Sequence, residues 1–322
     1  MICLNIRGYS PADGASVIGL WNACLPPDLL DTWNFYKRII CDKNFDPELF
    51  LLAEEDSKED SNGGKELCGF AYATRRKVPD EMAGLQPEQG WIVSMGVHPN
   101  KRRRGIGKAL LIKAEESLAK LGVKKIDLGP YPDNYFFPGV DKEAYSDAVK
   151  FFESCGYSER HESVSMDMSL RGYEYSPKHF EKKIKLEKDG YNFGPFRLED
   201  SESAFTLLRT HFPHWLNNVR DSILAGRAEN TVVLARNSKN EVVGFAMRAM
   251  DGTDERFGPF GVDPSLQGLG VGGILFHELV SGMVARRIFY TYFLWTTGRN
   301  LDIYGSWGMK VYRKYSMMGR TL

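Results

Sequence analysis

The stretch VHPNKRRRGIGKALL at residues 97–111 returns as VDPSLQGLGVGGILF at residues 262–276, and this repeat decides the fold. The shared positions lie 165 residues apart, so the pattern V-x-P-x-x-R/Q-x-x-G-x-G aligns in both halves without a gap. Each copy follows a short apolar run and opens a segment whose apolar residues recur at helical spacing. A duplicated strand, glycine loop and helix therefore predict two similar domains in one chain.

Around the repeat, the two halves carry the same order of elements. Two strand-like runs joined by a polar turn precede each copy, with a Ser-, Lys- and Gly-rich connection at residues 56–65 in the first half. A strand, a short helix and a final strand follow each copy. We therefore predict a first domain over residues 1–170, a partly helical, solvated linker over 171–192 and a second domain over 193–322.

Composition narrows the classes of function. The chain has 42 Lys and Arg residues and 42 Asp and Glu residues, so its formal net charge is 0. A neutral protein has no overall positive potential that would attract nucleic acid or an anionic membrane. No apolar run approaches the roughly 18 residues of a membrane span, and the N-terminus lacks the pattern of a signal peptide. The five cysteines are odd in number and share no CxxC spacing, which favours a reducing cytoplasm over a disulfide framework or a zinc site.

The glycine loops predict an anion site. The first amides of a helix have no partner inside the helix, and the aligned peptide dipoles place about half a positive charge there. Glycine allows a close approach of the backbone and a positive φ. The spacing fits neither a Walker loop nor a dinucleotide-binding fingerprint, so we expect a phosphate or pyrophosphate group held in another way.

The two copies resemble motif A of the GNAT superfamily of acyl-CoA-dependent N-acyltransferases, R/Q-x-x-G-x-G/A, and the element order fits along nearly the whole chain. The resemblance implies two tandem GNAT folds of the mixed α/β class, each with a mostly antiparallel twisted sheet flanked by helices. It also implies acetyl-CoA as co-substrate, with its pyrophosphate on the loop amides. The cofactor-binding residues by position are Val97, Arg102, Arg103, Arg104, Gly105, Ile106, Gly107 and Lys108 in the first half, and Val262, Gln267, Gly268, Leu269, Gly270, Val271, Gly272 and Gly273 in the second.

The resemblance also suggests the catalytic groups. GNAT enzymes often use a tyrosine of the last helix, shortly before a glycine turn, as general acid toward the departing thiolate. Tyr304 stands at that position in the second half, whereas the first half has Phe152, which cannot donate a proton. We therefore expect the second half to be catalytic and the first to be degenerate or auxiliary.

The general base is less evident. Related enzymes commonly carry a glutamate on the strand before motif A, but Arg256 stands there in the second half and Trp91 in the first. Glu255, directly or through a water, is the candidate base that would take the proton of an acceptor ammonium. The alternative is a salt bridge between Glu255 and Arg256.

The acceptor is predicted to be the primary amine of a small molecule. Tandem halves are similar to mycothiol-synthase-like and amino-sugar N-acetyltransferases, which favours an amino sugar. The alternatives are a protein or peptide amine, and a non-catalytic acyl-CoA sensor. We expect the protein to be cytoplasmic, a pseudo-dimeric monomer or a homodimer, without metal, nucleic acid or membrane partners. For the aromatic loop 133–141 we expect one of two roles, covering the acceptor or contacting the other half.

Overall fold

The computed structural model of the chain describes residues 4–56 and 64–322 and divides into two compact units. The first unit comprises Met1–Val164 together with Arg313–Leu322, and the second comprises Ser165–Tyr312. Most of the predicted connection at 56–65 lies outside the described residues. The predicted fold class is confirmed, because each unit packs helices on a mostly antiparallel sheet.

The first half contains helices and strands in the order β-α-α-β-β-β-α-β-β-α-β. Its elements are β1 (Asn5–Gly8), α1 (Gly14–Cys24), α2 (Thr32–Phe35), β2 (Phe50–Asp56), β3 (Lys65–Arg75), β4 (Gln89–Val97), α3 (Ile106–Lys120), β5 (Lys125–Leu128), β6 (Val140–Asp141), α4 (Ser146–Ser154) and β7 (Ser158–Ser169). A π-helical turn continues α2 over Tyr36–Ile40.

The second half repeats this order after an additional helix. Its elements are α5 (Pro177–Lys188), β8 (Asn192–Pro195), α6 (Ser201–His211), α7 (Leu216–Leu224), α8 (Ala228–Thr231), β9 (Val232–Arg236), β10 (Val242–Arg248), β11 (Phe257–Val262), α9 (Val271–Ala285), β12 (Tyr290–Thr296), α10 (Arg299–Ser306) and β13 (Lys310–Thr321). Among the described helices, none combines the length and apolar character that crossing a bilayer requires.

The sheet of the first unit runs in the order β1-β2-β3-β4-β5-β13-β7. Its pairs are antiparallel from β1 to β4, whereas β4 and β5 are parallel and pair only over Gln89–Ile92 and Lys125–Leu128. Beyond Ile92 no further pairing joins these two described strands, so β4 continues toward the glycine loop with β3 as its partner. Apolar clusters cover both faces of this sheet, one under α3 and the other under α1 and α2.

The last strand of the chain belongs to the first unit, which differs from the predicted second domain over 193–322. In β13, Gly319 pairs with Asp127 of β5, and Tyr315 pairs with Asp141 of β6. Polar contacts fix this register, because Arg320 Nη1 donates to Glu115 Oε1 at 3.0 Å. The final strand is thus placed by long-range side-chain bonds, which the local sequence does not specify.

The predicted linker also differs from the structure, since α5 is part of the second unit. Lys183 Nζ donates to Glu278 Oε1 of α9 at 2.8 Å, and the His179 ring lies 4.7 Å from the His277 ring. The lysine-rich stretch is therefore a docked helix rather than a solvated connection. In the same unit β11, β10, β9 and β8 form a four-stranded sheet.

We predict that Gly139→Ala destabilises the first unit. The change tests the position of β13, because Gly139 lies against the backbone of this strand. A Cβ at Gly139 would lie 2.4 Å from the carbonyl oxygen of Ser316, which is backbone and cannot rotate away. We expect a loss of about 2 kcal/mol in the free energy of unfolding measured in urea.

Gly19→Ala in α1 is the matched control, since a Cβ there meets nothing within 4 Å. This change should raise stability by about 0.5–1 kcal/mol, because alanine favours a helix over glycine. Equal stability of the two variants would contradict the placement of β13.

Candidate functional site

A cleft of about 560 Å³ opens in the first unit where β4 and β5 separate. Its walls come from the second half of β4, the residues after β5, the start of α4 and the glycine loop. Apolar groups line its floor, among them Val93, Met95, Val97, Leu128 and Phe152. A polar loop at one end of a mostly apolar cleft is suited to a long ligand with a charged end.

The glycine loop of the first unit presents its amides at the mouth of this cleft. Arg103 has φ 62° and Gly105 has φ 82°, and α3 begins at Ile106. Left-handed backbone followed by a helix N-terminus forms a concave set of N–H groups, which binds anions. A Cβ at Gly107 would have 3.6 Å to its nearest neighbour, so the loop approaches no other group closely there.

The arginines predicted around this loop have different roles. Arg102 Nε donates to Val97 O at 3.1 Å and fixes the loop to β4, while Arg104 Nη2 lies 2.9 Å from Glu55 Oε1. Arg103 and Lys108 are exposed and line the cleft mouth. Arg103 lies 3.6 Å from Asp147 and, like Lys108, carries an exposed positive charge beside the loop, whereas Arg102 and Arg104 make contacts that hold the loop itself. Of the residues predicted in the first half, all except Arg104 line the cleft.

Part of the cleft is lined by a polar cluster that the sequence did not indicate. Tyr145, Asp141 and Arg313 line it, and Asp28 bonds to both the tyrosine and the arginine. Burial and the Asp28 carboxylate raise the pKa of the Tyr145 hydroxyl, so it stays protonated. Arg313 belongs to the last strand, so no local pattern links it to this site.

The glycine loop of the second unit has the same backbone but is covered. Gly268 has φ 86° and Gly270 has φ 91°, matching the two left-handed positions of the first loop. A Cβ at Gly270 would lie 2.8 Å from Lys182, and one at Gly273 would lie 2.2 Å from the His179 ring. Both side chains come from α5, so this helix occupies the space in front of the second loop.

The remaining residues predicted in the second half lie at the end of β11, in the glycine loop and at the start of α9. Val262 ends β11, Gln267 and Leu269 are exposed, Val271 is buried, and a Cβ at Gly272 would lie 3.1 Å from Phe260.

Tyr304, the predicted acid, lies in an aromatic cluster. Its ring centroid is 4.6 Å from that of Phe293, 5.5 Å from that of Trp307 and 5.9 Å from that of Phe257. Burial raises the pKa of the Tyr304 hydroxyl. Aromatic rings thus pack between β11, β12 and α10, in the region that corresponds to the first-unit cleft.

Glu255, the predicted base, lies just before β11. Its carbonyl oxygen accepts a hydrogen bond from the Tyr292 amide of β12 at 3.1 Å, which links the two strands. Arg256 does not form the alternative salt bridge. Its Nε and Nη1 are buried without a hydrogen-bond partner among the described residues, and its guanidinium lies 5.8 Å from the Tyr292 ring. The structure does not bring Glu255 and Tyr304 into a described contact.

Two further expectations can be compared with the structure. Loop 133–141 packs on α1 within the first unit, with Phe136 buried and Phe137 stacked on Trp21 at 6.3 Å while lining the cleft. Over residues 4–56 and 64–322, no group of three or more His, Cys, Asp or Glu is placed to hold a metal ion.

Comparison with known proteins gives the same class for the first half. The model of the Acetyltransferase (GNAT) family matches residues 15–157. An acetyltransferase of Pectobacterium atrosepticum is 36% identical over 132 residues, which cover 41% of this chain and 79% of that protein. An acetyltransferase of Sodalis glossinidius is 35% identical over 132 residues, covering 41% of this chain and 78% of that protein.

Solved structures match the whole chain. A GCN5-related glucosamine N-acetyltransferase region in a fungal multi-domain β-N-acetylglucosaminidase superposes with TM-score 0.81 at 19% identity, covering 99% of this chain and 38% of that longer one. A tandem GNAT protein from the clavulanic acid biosynthesis pathway has TM-score 0.64 at 13% identity, covering 99% of this chain and 98% of that one. The predicted tandem fold is thereby confirmed.

We predict that acid loosens the contact of α5 with α9 through His277. Burial, and then the charge of His179, lower the pKa of His277 to about 4, from about 6.5 in an unfolded chain. The neutral ring is favoured in the folded state, so its contribution is complete above pH 6.5 and is lost as the pH falls through 4. We expect a loss of about 3 kcal/mol in the free energy of unfolding from this group.

His277→Gln should lose less stability than the wild type between pH 6.5 and 4 in urea titrations. His161→Gln, at an exposed position of β7, is the control and should follow the wild-type curve. Parallel curves for all three proteins would contradict a role of His277 in this pH dependence.

Proposed function

Because the chain belongs to the GNAT family of acetyltransferases, we propose that its first unit binds acetyl-CoA and transfers the acetyl group to the primary amine of a small molecule. The cleft between β4 and β5 would hold the pantetheine arm and the thioester. The diphosphate would lie on the amides of residues 103–108, with Arg103 and Lys108 beside it. The reaction would proceed by direct attack of the amine in a ternary complex.

One observation carries this proposal: the open cleft of the first unit ends at an accessible loop of unpaired amides. The second unit has an equivalent loop, but Lys182 and His179 lie against it. The family model also matches residues in the first half. The assignment of chemistry to the second half, made from Tyr304, therefore has less structural support than an assignment to the first half.

The second unit has a supporting role in this proposal. Phe257, Phe293, Tyr304 and Trp307 fill the region where a thioester would enter, and such a packed cluster stabilises a domain. In this proposal Tyr304 is a packing residue. In the first unit Phe152 has no hydroxyl, so another group would transfer the proton there.

We propose an amino sugar as the acceptor. The support is the fold likeness to a glucosamine N-acetyltransferase region, together with the polar groups that line part of the cleft. Glucosamine has one primary amine and several hydroxyls, which suit a subsite lined by carboxylate, guanidinium and phenol groups.

A thiol-release assay with acetyl-CoA tests the activity. Glucosamine, a linear diamine and a lysine peptide are offered as separate acceptors, and we expect release of coenzyme A with glucosamine above the rate without acceptor. Turnover with the peptide alone would favour a protein amine as acceptor. Tight binding of acetyl-CoA without turnover on any amine would favour a sensor.

Replacing one glycine in each loop tests which unit binds acetyl-CoA. Gly107→Val should weaken binding by about tenfold in calorimetry, because the branched side chain would project toward Val97 and Phe151 and take up space in the cleft beside the loop. Gly272→Val is the matched change in the second loop and should leave the affinity within about twofold. The opposite ranking would place acetyl-CoA in the second unit.

A further inference from the structure

A buried ion cluster lines part of the first-unit cleft. Arg313 Nε donates to Asp141 Oδ2 at 2.5 Å, and its Nη2 donates to Asp28 Oδ2 at 2.8 Å. Tyr145 Oη donates to the same carboxylate at 2.6 Å. The side chains of Arg313, Asp28 and Asp141 are only 18%, 12% and 4% exposed, so solvent screens their charges weakly.

The charges of this cluster favour a cation. Two carboxylates surround one guanidinium, and each of the three guanidinium nitrogens already donates to Asp28 or Asp141. The cluster therefore has a net charge of −1, and its guanidinium already donates to both carboxylates. A phosphate or carboxylate on the acceptor would be repelled, whereas an ammonium would be attracted.

Tyr145 lines the cleft and supplies a hydrogen-bonding oxygen there. Since the Tyr145 hydrogen is committed to Asp28, the phenol oxygen is left with lone pairs that accept hydrogen bonds. An ammonium carries only N–H donors and therefore matches this oxygen, and the N–H groups of a neutral amine can donate to it as well. Asp141 also lines the cleft, and its Oδ1 accepts hydrogen bonds from the backbone amides of Glu143 and Ala144.

Resting on the proposed function, we propose that Tyr145, Asp28, Arg313 and Asp141 form the acceptor subsite, and that this subsite selects a primary amine without phosphate or carboxylate groups. Tyr145 receives the nitrogen, and Asp28 and Arg313 position the tyrosine. The last strand of the chain thereby completes the acceptor subsite of the first unit.

The same unit contains a matched set that does not line the cleft. Tyr157 Oη donates to Glu115 Oε1 at 2.9 Å, and Arg320 of β13 donates to that carboxylate at 3.0 Å. Tyr157 is buried in the core under α3. This set shares the chemistry and the strand of the proposed subsite, so its variants control for general effects on stability.

Steady-state kinetics on the full chain test the subsite. Tyr145→Phe should raise the KM for glucosamine by about tenfold and leave the Kd of acetyl-CoA unchanged, whereas Tyr157→Phe should change neither. The wild type should prefer glucosamine over glucosamine 6-phosphate by about tenfold or more in kcat/KM. Asp28→Asn frees part of Arg313 and should reduce that preference by about tenfold, while Glu115→Gln should preserve it.

The outcomes separate the two proposals. A wild type that binds acetyl-CoA and acetylates no amine contradicts the proposed function. A wild type that acetylates glucosamine, with Tyr145→Phe behaving like Tyr157→Phe, overturns the subsite alone. A preference for the phosphorylated acceptor overturns it as well. If Asp28→Asn does not fold, the comparison of Tyr145→Phe with Tyr157→Phe still tests whether Tyr145 belongs to the acceptor subsite.

Discussion

The insertion of the last strand beside β5 is the constraint on which the first unit depends. Without Arg313–Leu322, β5 would be an unpaired edge and the cleft would lose Arg313 and Tyr315 from its wall. Side-chain bonds from both ends of the strand hold it, through Asp28 and Asp141 at one end and Glu115 at the other. Breaking either buried carboxylate contact would leave an unpaired charge, which is costly.

The two glycine loops show how one backbone geometry can lead to two different surfaces. Both loops have two left-handed residues before a helix, and therefore the same concave set of amides. The difference comes from what packs in front. In the second unit α5 lies against the loop, and aromatic side chains pack behind it, whereas the first unit leaves the loop accessible. An anion site thus requires open space as well as correctly directed N–H groups.

The sequence was sufficient for the repeat, the fold class and the backbone of both loops, because these follow from local patterns of apolar residues and glycine. It was insufficient for the order of the terminal strands, because β13 pairs with β5 from far along the chain and local strand propensity does not specify the partner of a strand. The Asp28–Arg313 contact joins residues 285 positions apart and has no local signal. The aromatic residues at Phe257 and Phe260, where the first copy has Ile92 and Met95, could have indicated a filled second cleft.

The position of Arg313–Leu322 also has a consequence for biosynthesis. These residues leave the ribosome after the entire second unit, so the first unit waits for about half of the chain before its sheet is complete. Meanwhile the open side of β5 is a template for pairing with other strands, a hazard for a nascent chain. Slow translation of the second half would lengthen the time for which this side of β5 is exposed. We expect the nascent chain to depend on chaperones during that time.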